Sequence, residues 1–499
     1  MTAKYQLETH EREFFRLVEQ AALANPFTEE RIQINRQLSG LSENFSELEL
    51  NEKGVHTVRE RVKHLEDAGR DNFNQYAAED QRLLKNAIMF DFFHCFIQQF
   101  DRHILEQIEA GAKPIKVTFV DEAFAYLHQK GYTDEEKQRA FAFTFQIWRA
   151  YYFIVRNLVG RSAVMKKLRQ SLWNNVFTYN IDFYIQYLWN RMEDFSTIIT
   201  GETGTGKGTA AMAIGRSGYI PFDEKKGRFI ESFAQSFVTL NLSQFPEALI
   251  ESELFGHRKG SFTGAVEDHE GILQRCSHHG AIFLDEIGEV SHPIQIKLLK
   301  VLEERLYSPV GSHEVHRFDG RIIAATNRSI DDLVTNGMMR SDFYYRLCSD
   351  IITVAPLRDR IKDDPHELDD LLGVIVTKIL GLEAPGVVDH LRSLIVGQIG
   401  LDYDWPGNVR ELAQCVRRLL LNQNYKGLPA EGAGRSYRFV MDLEKGNIDA
   451  QSLVQRYCNS LYRRYGTYGE VARRTNLDRR TVKKYITDYN QNSNAQDGE

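Results

Sequence analysis

Cysteine is scarce and scattered in this sequence. Five occur in 499 residues, at positions 95, 276, 348, 415 and 458, with no CxxC pair among them. That distribution excludes a disulfide framework and fits reduced thiols in a cytosol. Long apolar runs are missing too. A membrane helix needs about 18 or more uninterrupted apolar residues, and the nearest stretch, 140–155, is interrupted by Gln146 and Arg149. The opening residues, 1–8, contain no apolar core of a signal peptide, so a cytoplasmic protein without a membrane partner is expected. Basic charge is not in excess either. The net charge of −7 excludes a chain coated in lysine and arginine, so any nucleic-acid contact must be local. What remains is ordinary globular composition, 42% hydrophobic and 26% charged, at a length that suggests about three domains.

Proline is nearly absent from the first 157 residues, occurring only at Pro26 and Pro114. Charged and apolar residues there recur at helical spacing, and aromatics crowd 90–96 and 141–153. A mostly helical region is expected, one that lacks the β/α alternation and early acidic cluster of a phosphoacceptor domain. From residue 159 the pattern changes. Short β-branched runs at 196–200, 237–240, 281–284 and 321–325 alternate with helical segments. Strands separated by helices imply an α/β layer with a parallel sheet. A helical segment follows over 361–423, then a glycine-rich linker over 424–447, a small basic helical unit over 448–490 and a polar tail, 491–499, expected to be disordered.

Two elements of the α/β part carry chemistry. Gly201, Glu202, Thr203, Gly204, Thr205, Gly206, Lys207, Gly208 and Thr209 follow a strand run and open a helical one. Glycines let backbone N–H groups turn inward to cradle phosphate oxygens, and the helix presents its positive end. Lys207 supplies a charge for the β and γ phosphates of ATP. Downstream, residues 281–286 form an apolar strand ending in Asp285 and Glu286. Asp285 suits a Mg2+ ligand, and Glu286 suits the group that orients and deprotonates the attacking water. Asn327, ending a third strand run, can sense the γ-phosphate. Arg340 and Arg346 are either surface arginines or fingers that reach a neighbouring subunit's nucleotide. Between loop and acidic strand lies 251–265, whose tip, Gly260, Ser261, Phe262, Thr263, Gly264 and Ala265, is a poor core segment and a good mobile prong.

Taken together, these motifs resemble the central domain of the bacterial sigma-54-dependent transcription activators, a branch of the AAA+ ATPases. The resemblance runs over about 159–421. It rests on Glu-Ser-Glu-Leu-Phe-Gly-His at 251–257, the 260–265 loop, Phe-Leu-Asp-Glu-Ile-Gly at 283–288, Ala-Ala-Thr-Asn-Arg at 324–328, Tyr-Arg-Leu at 345–347, Pro-Leu-Arg-Asp-Arg at 356–360 and Trp-Pro-Gly-Asn-Val-Arg-Glu-Leu at 405–412. It implies an AAA+ module over 158–423, with an α/β part over 158–360 and a helical lid over 361–423. It implies a ring, usually a hexamer and a dimer when inactive, with ATP at subunit interfaces. It implies that Arg340 and Arg346 act in trans, that Arg410 contacts phosphates from the lid, and that Asn241 restrains Glu286. Residues 260–265 would bear on sigma-54, and hydrolysis would remodel the closed RNA polymerase–promoter complex. Three departures stand out: Ser261 replaces alanine, Gly208 replaces the usual glutamate, and 218–236 is longer than the usual connection, with 223–228 expected as an exposed insertion.

The terminal unit reads as helix, turn, helix. Val471, Ala472, Leu477, Val482 and Ile486 can form its core, leaving Arg479, Arg480, Thr481, Lys483 and Lys484 outward. Such a helix fits the major groove, with arginines toward guanine edges and lysines toward phosphates. Arg456, Arg463, Arg464, Arg473 and Arg474 add charge. The unit resembles the Fis-type helix-turn-helix of many such activators, which implies binding to upstream double-stranded DNA and association with the nucleoid. Residues 1–157 are then the regulatory region by position, open to a small-molecule or a protein signal. Asp91, His94, Cys95, Asp101 and His103 can be read as metal ligands or as polar edges of an aromatic core. The alternative function is a DNA-binding regulator or repressor whose ATPase controls only self-assembly.

Overall fold

The computed structural model describes residues 4–42, 44–427 and 449–496. They form two units, 1–425 and 426–499. The linker expected over 424–447 lies mostly outside the described residues, as do the side chains of Arg463 and Arg464 and the last three residues.

The larger unit opens with six long helices, Thr9–Leu23, Glu29–Ser39, Glu47–Asp67, Ala78–Ala110, Val120–Gln129 and Asp134–Asn157. Their ends follow from local chemistry. Ser46 with Glu49 and Thr133 with Glu136 form reciprocal capping boxes, which satisfy N–H groups that have no intrahelical partner. Gly40 closes the second helix in the left-handed region.

Among the described residues nine short strands follow: β1 (Thr197–Thr200), a ribbon of β2 (Phe222–Asp223) and β3 (Arg228–Phe229), β4 (Phe237–Asn241), β5 (Ala281–Asp285), a second ribbon of β6 (Leu306–Tyr307) and β7 (His316–Arg317), β8 (Arg321–Thr326) and β9 (Asp350–Thr353). Five of them form a parallel sheet in the order β4-β5-β8-β1-β9. The expected α/β layer is therefore present, with β9 as a strand that the sequence pattern did not single out. The order requires crossovers, and the carboxyl ends of β4, β5, β8 and β1 come together at one edge, where ligands of open α/β sheets bind.

Strand alternation assigns the two faces of the sheet to two cores. Ile199, Phe283, Ile323 and Ala325 face a large cluster that is continuous with the N-terminal helices, from Phe15 and Phe92 to Phe141 and Phe145. Ile198, Ile282, Leu284 and Ala324 face the other side, against Leu298 and Leu302 of helix His292–Glu304 and Leu254 of helix Glu247–Phe255. Residues 1–157 thus share one hydrophobic core with the sheet. A third cluster, around Trp405, Leu372 and Leu412, holds the lid helices Glu367–Leu380, Pro385–Ile399 and Asn408–Asn422 together.

The smaller unit contains helices Ala450–Tyr465, Tyr468–Thr475 and Arg479–Gln496. Cys458, Val471, Val482 and Ile486 are its buried core, with Ala472 and Leu477 packed on it. The last helix continues to Gln496, into the stretch expected to be structureless; no glycine or proline interrupts it before Gly498.

Candidate nucleotide site and the loop beside it

β1 delivers the chain into the phosphate loop. Gly201, Gly204 and Gly206 all have φ between +82° and +150°, backbone that a side chain rarely tolerates. Helix Lys207–Gly215 starts directly after Gly206. Lys207 is buried, and its ammonium group donates to the carbonyls of Gly201 at 2.9 Å and Glu202 at 3.2 Å. Desolvation lowers its pKa, partly offset by the carboxylates of Glu286 and Asp285; the charge of Arg410 lowers it further. The structure therefore brings Asp285, Glu286 and Arg410, all distant in sequence, within electrostatic reach of Lys207.

Asp285 and Glu286 play different parts. Asn241 and Asp285 are in register across β4 and β5, and the Asn241 amide donates to Asp285 Oδ2 at 3.3 Å. Register places Asn241 and Asp285 side by side, and Glu286, the next residue, takes left-handed backbone at φ +59°. Glu286 Oε2 accepts from the backbone N–H of Asn327 at 3.3 Å, and the Asn327 amide donates to Thr203 Oγ1 at 3.1 Å. Asn327 thus bridges the acidic pair to the phosphate loop. Hard oxygen donors at a strand end are what Mg2+ takes, so Asp285 with Glu286 beside it fits the ion.

The lid is clamped onto this loop. The N–H of Val409 donates to the Gly204 carbonyl at 3.1 Å. The buried Asn408 amide donates to the Thr203 carbonyl and to Glu202 Oε2, both at 3.1 Å, while its carbonyl accepts from Leu357 N–H at 2.7 Å. Glu202 also receives a two-pronged hydrogen bond from Arg358, with 2.9 Å at Nη1. Glu202 therefore faces the lid more than a ligand. Sequence reasoning does not single out Arg358 and Asn408 as site residues. Both sit inside motifs visible in the sequence, 356–360 and 405–412, but their pairing with Glu202 crosses 156 and 206 positions.

Arg340 caps helix Ser341–Leu347 and forks onto Asp342 at 3.0 and 2.6 Å. Arg346, in its last turn, donates to the Leu302 carbonyl at 3.0 and 2.7 Å. Neither side chain hydrogen-bonds to the phosphate loop within this protomer.

The 260–265 segment forms a tight turn outside the sheet. Gly260 N–H donates to the Ala265 carbonyl at 2.8 Å, and Ala265 N–H to the Phe262 carbonyl at 3.0 Å. Gly260 and Gly264 take φ of +81° and +105°. Thr263 and Gly264 are exposed, whereas the Phe262 ring leans on His257, with centroids 4.9 Å apart. At the root, Arg258 pairs with Asp268 at 3.0 Å and with Glu314, and Ser252 Oγ lies 2.6 Å from His257 Nδ1. Ser261 packs against Gly311, where an added Cβ would meet it at 2.5 Å. The departure from alanine is thus at the root of the turn.

Arg479, Arg480, Lys483 and Lys484 are exposed on one helix of the terminal unit, as expected. Thr481 is half-buried, and both its N–H and its hydroxyl donate to Asp478, whose carboxylate caps the helix. The 223–228 insertion is exposed only at its tip, 224–226; Phe222 and Phe229 on either side are buried. In the N-terminal region Asp91 accepts from Arg59 and from Tyr126 at 2.6 Å, and Asp101 from Trp148 at 2.9 Å. Among the described residues no group of three or more His, Cys, Asp or Glu gathers as a metal site.

Phosphate loop, acidic strand end, polar third strand and helical lid define a P-loop α/β nucleotide-binding module. The sigma-54 interaction domain matches residues 185–353. An uncharacterized protein in the HyuA 5' region of Pseudomonas sp. (strain NS671) is 35% identical over 260 residues, which are 52% of this chain and 82% of that protein. The Nif-specific regulatory protein of Azotobacter vinelandii is 40% identical over 45% of this chain and 39% of its own length. The DNA-binding transcriptional regulator NtrC of Azospirillum brasilense is 36% identical over 54% and 50%. The chain belongs to the sigma-54-dependent activator family of AAA+ proteins, and spans about half the length or less of the last two relatives. A solved structure of NtrX from Brucella abortus in complex with ATP aligns over 74% of this chain and 80% of that one, at 22% identity and a TM-score of 0.40.

Proposed function

We propose that this protein activates transcription from sigma-54 promoters by binding upstream DNA and splitting ATP in a ring of subunits, usually six, to convert the closed polymerase complex into the open one. The observation that carries the reading is the continuous path from the acidic strand end to an exposed tip. Asp285 is bonded to Asn241, the last residue of β4, and the next helix, Glu247–Phe255, leads into the 260–265 turn. A change at the γ-phosphate can therefore reach Thr263 through one short stretch of chain.

Each residue then has a task. Backbone N–H groups of 201–209 and the start of helix Lys207–Gly215 cradle the phosphates, and Lys207 exchanges its loop carbonyls for phosphate oxygens. Asp285 would hold Mg2+, which would supply charge neutralisation on the phosphates. Glu286 orients the attacking water and takes its proton. Asn327 senses the γ-phosphate, and Arg410 reaches the phosphates from the lid. Arg340 and Arg346 act on the neighbouring subunit's ATP, where such a charge is worth about 10³–10⁵ in rate. Residues 260–265 press on sigma-54, and Arg479, Arg480, Lys483 and Lys484 contact DNA.

The test is open-complex formation on a sigma-54 promoter with ATP, comparing the wild type with Thr263→Ala. ATP hydrolysis without promoter opening in the variant supports the loop's role. Equal opening in both rejects it. A wild type that binds DNA and hydrolyses ATP without ever melting DNA would instead be a regulator whose ATPase serves assembly.

A further inference from the structure

Two polar side chains of the N-terminal helices are buried against the ATPase part, and nothing in the nucleotide chemistry above uses them. Gln146 and Arg149 lie on helix Asp134–Asn157, and each is 1% exposed. The Gln146 amide donates to the Ser217 carbonyl at 2.9 Å and to the Tyr184 hydroxyl at 2.7 Å. Arg149 donates to the Gly218 carbonyl, between the rings of Phe145 and Phe233 at 5.2 and 5.3 Å. Burial pushes this guanidinium down to about 9. A charge so enclosed is costly unless it is hydrogen-bonded or paired, and the Gly218 carbonyl supplies the acceptor.

Ser217 and Gly218 lie two and three residues past the end of helix Lys207–Gly215, just beyond its C-cap Arg216; the other end of that helix is the phosphate loop. Carbonyls at a helix C-terminus carry partial negative charge, and a cation or donor there steadies the helix. The chain leaving that helix is then gripped a second time. Phe222 and Phe229 of the β2–β3 ribbon insert among Phe124, Phe141 and Phe145, with ring centroids 4.6–5.7 Å apart. Val117 N–H donates to the Gly227 carbonyl at 2.8 Å, Ser232 Oγ to the Gly111 carbonyl at 2.6 Å, and Lys137 pairs with Glu224 at 3.1 Å. The long 218–236 connection is thus anchored in the N-terminal helices by Phe222 and Phe229.

We propose that Gln146 and Arg149 are positioning residues for the phosphate loop: they hold the chain just past the C-terminal end of helix Lys207–Gly215, so the N-terminal helices set nucleotide affinity and assist the ATPase. The proposal rests on the nucleotide reading of that loop. It makes residues 1–157 a built-in part of the nucleotide site and not a removable brake. A signal that shifts helix Asp134–Asn157 changes ATP binding without touching ATP.

The experiment uses the full chain, with a fluorescent ATP analogue for affinity and hydrogen exchange for residues 207–218. Arg149→Met and Gln146→Leu each weaken binding about tenfold, within the 5–150-fold range of coupling between sites, and speed exchange at 207–218. Arg149→Lys, which keeps a donor, lies closer to the wild type. Lys130→Met is the control. Lys130 is equally buried, but its partners are Glu66 at 3.1 Å and Asp71 at 2.8 Å, both within the N-terminal region. It destabilises those helices and leaves ATP affinity unchanged. Wild-type affinity and exchange in the Arg149 and Gln146 variants overturn the proposal, as does an equal loss of affinity in Lys130→Met. If Arg149→Met does not fold, Gln146→Leu decides. If the wild type itself binds no analogue, the nucleotide reading fails, and exchange at 207–218 alone still decides whether the latch exists.

Discussion

Three glycines of the phosphate loop should respond to alanine in a strict order. At Gly204, φ is +82° and an added Cβ would lie 2.3 Å from the backbone oxygen of Gly407 in the lid. Left-handed backbone costs an alanine roughly 1–2 kcal/mol. Relieving the overlap means pushing the lid away and losing the Val409–Gly204 hydrogen bond, about another 1 kcal/mol. If that sum of about 2–3 kcal/mol falls on nucleotide binding, affinity drops roughly 30- to 140-fold. At Gly206, φ is +108° with nothing within 4 Å of the added carbon, so only strain remains and the loss is intermediate. At Gly208, inside the helix, the nearest atom is Phe283 Cε1 at 3.7 Å, an ordinary van der Waals distance. Gly208→Ala should keep wild-type affinity and raise stability by up to about 0.5–1 kcal/mol. Titration of a fluorescent ATP analogue and thermal unfolding of the three full-length variants measure both. Binding by Gly204→Ala as tight as by Gly208→Ala would refute the lid-on-loop geometry.

Other perturbations have equally definite outcomes. Glu367 is fully buried against Arg360 at 2.7 Å and accepts from Ser162 N–H at 2.8 Å; Glu367→Ala strands that guanidinium and should cost about 3–5 kcal/mol in denaturant unfolding. His103 is buried among Phe145 and Phe229, and burial pushes its pKa down to about 4. Below about pH 6.5 the unfolded chain takes up a proton there that the folded one refuses. Stability should fall between about pH 6.5 and 4 by at most about 1.4 kcal/mol per pH unit for this group, and the slope should shrink in His103→Gln. Replacing Arg479 and Arg480 together by alanine should weaken DNA binding and reduce the salt slope, by about 0.9 for each phosphate that is no longer neutralised; an unchanged slope would remove these residues from the interface.

Much of the site could be read along the chain because its parts are local. The phosphate loop, the strand ending in Asp285 and Glu286, and the turn at 260–265 each carry their geometry within a single short segment, through glycine placement and strand-end position. The core of the terminal unit was readable for the same reason, since Val471, Val482 and Ile486 follow helical spacing. Long-range pairings were not. Register across β4 and β5 sets Asn241 beside Asp285. The Glu202–Arg358–Asn408 clamp joins positions that only the lid's docking brings together. β9 is a four-residue run whose strand character comes from pairing with β1. The aromatic bands at 90–96 and 141–153 were visible as core, but their partners, Phe222 and Phe229, lie beyond the first strand, so a separate regulatory block and an exposed insertion were the natural expectations. A shared core between them is a tertiary fact, set by packing that no single segment encodes.

The claim at the centre of the account is that ATP hydrolysis at this site opens promoter DNA. Permanganate footprinting of a sigma-54 promoter, with polymerase, ATP and either the wild type or Glu286→Gln, tests it most directly. The wild type should expose unpaired thymines around the start site, while Glu286→Gln should bind ATP and leave the duplex closed. Equal reactivity with both proteins would contradict it.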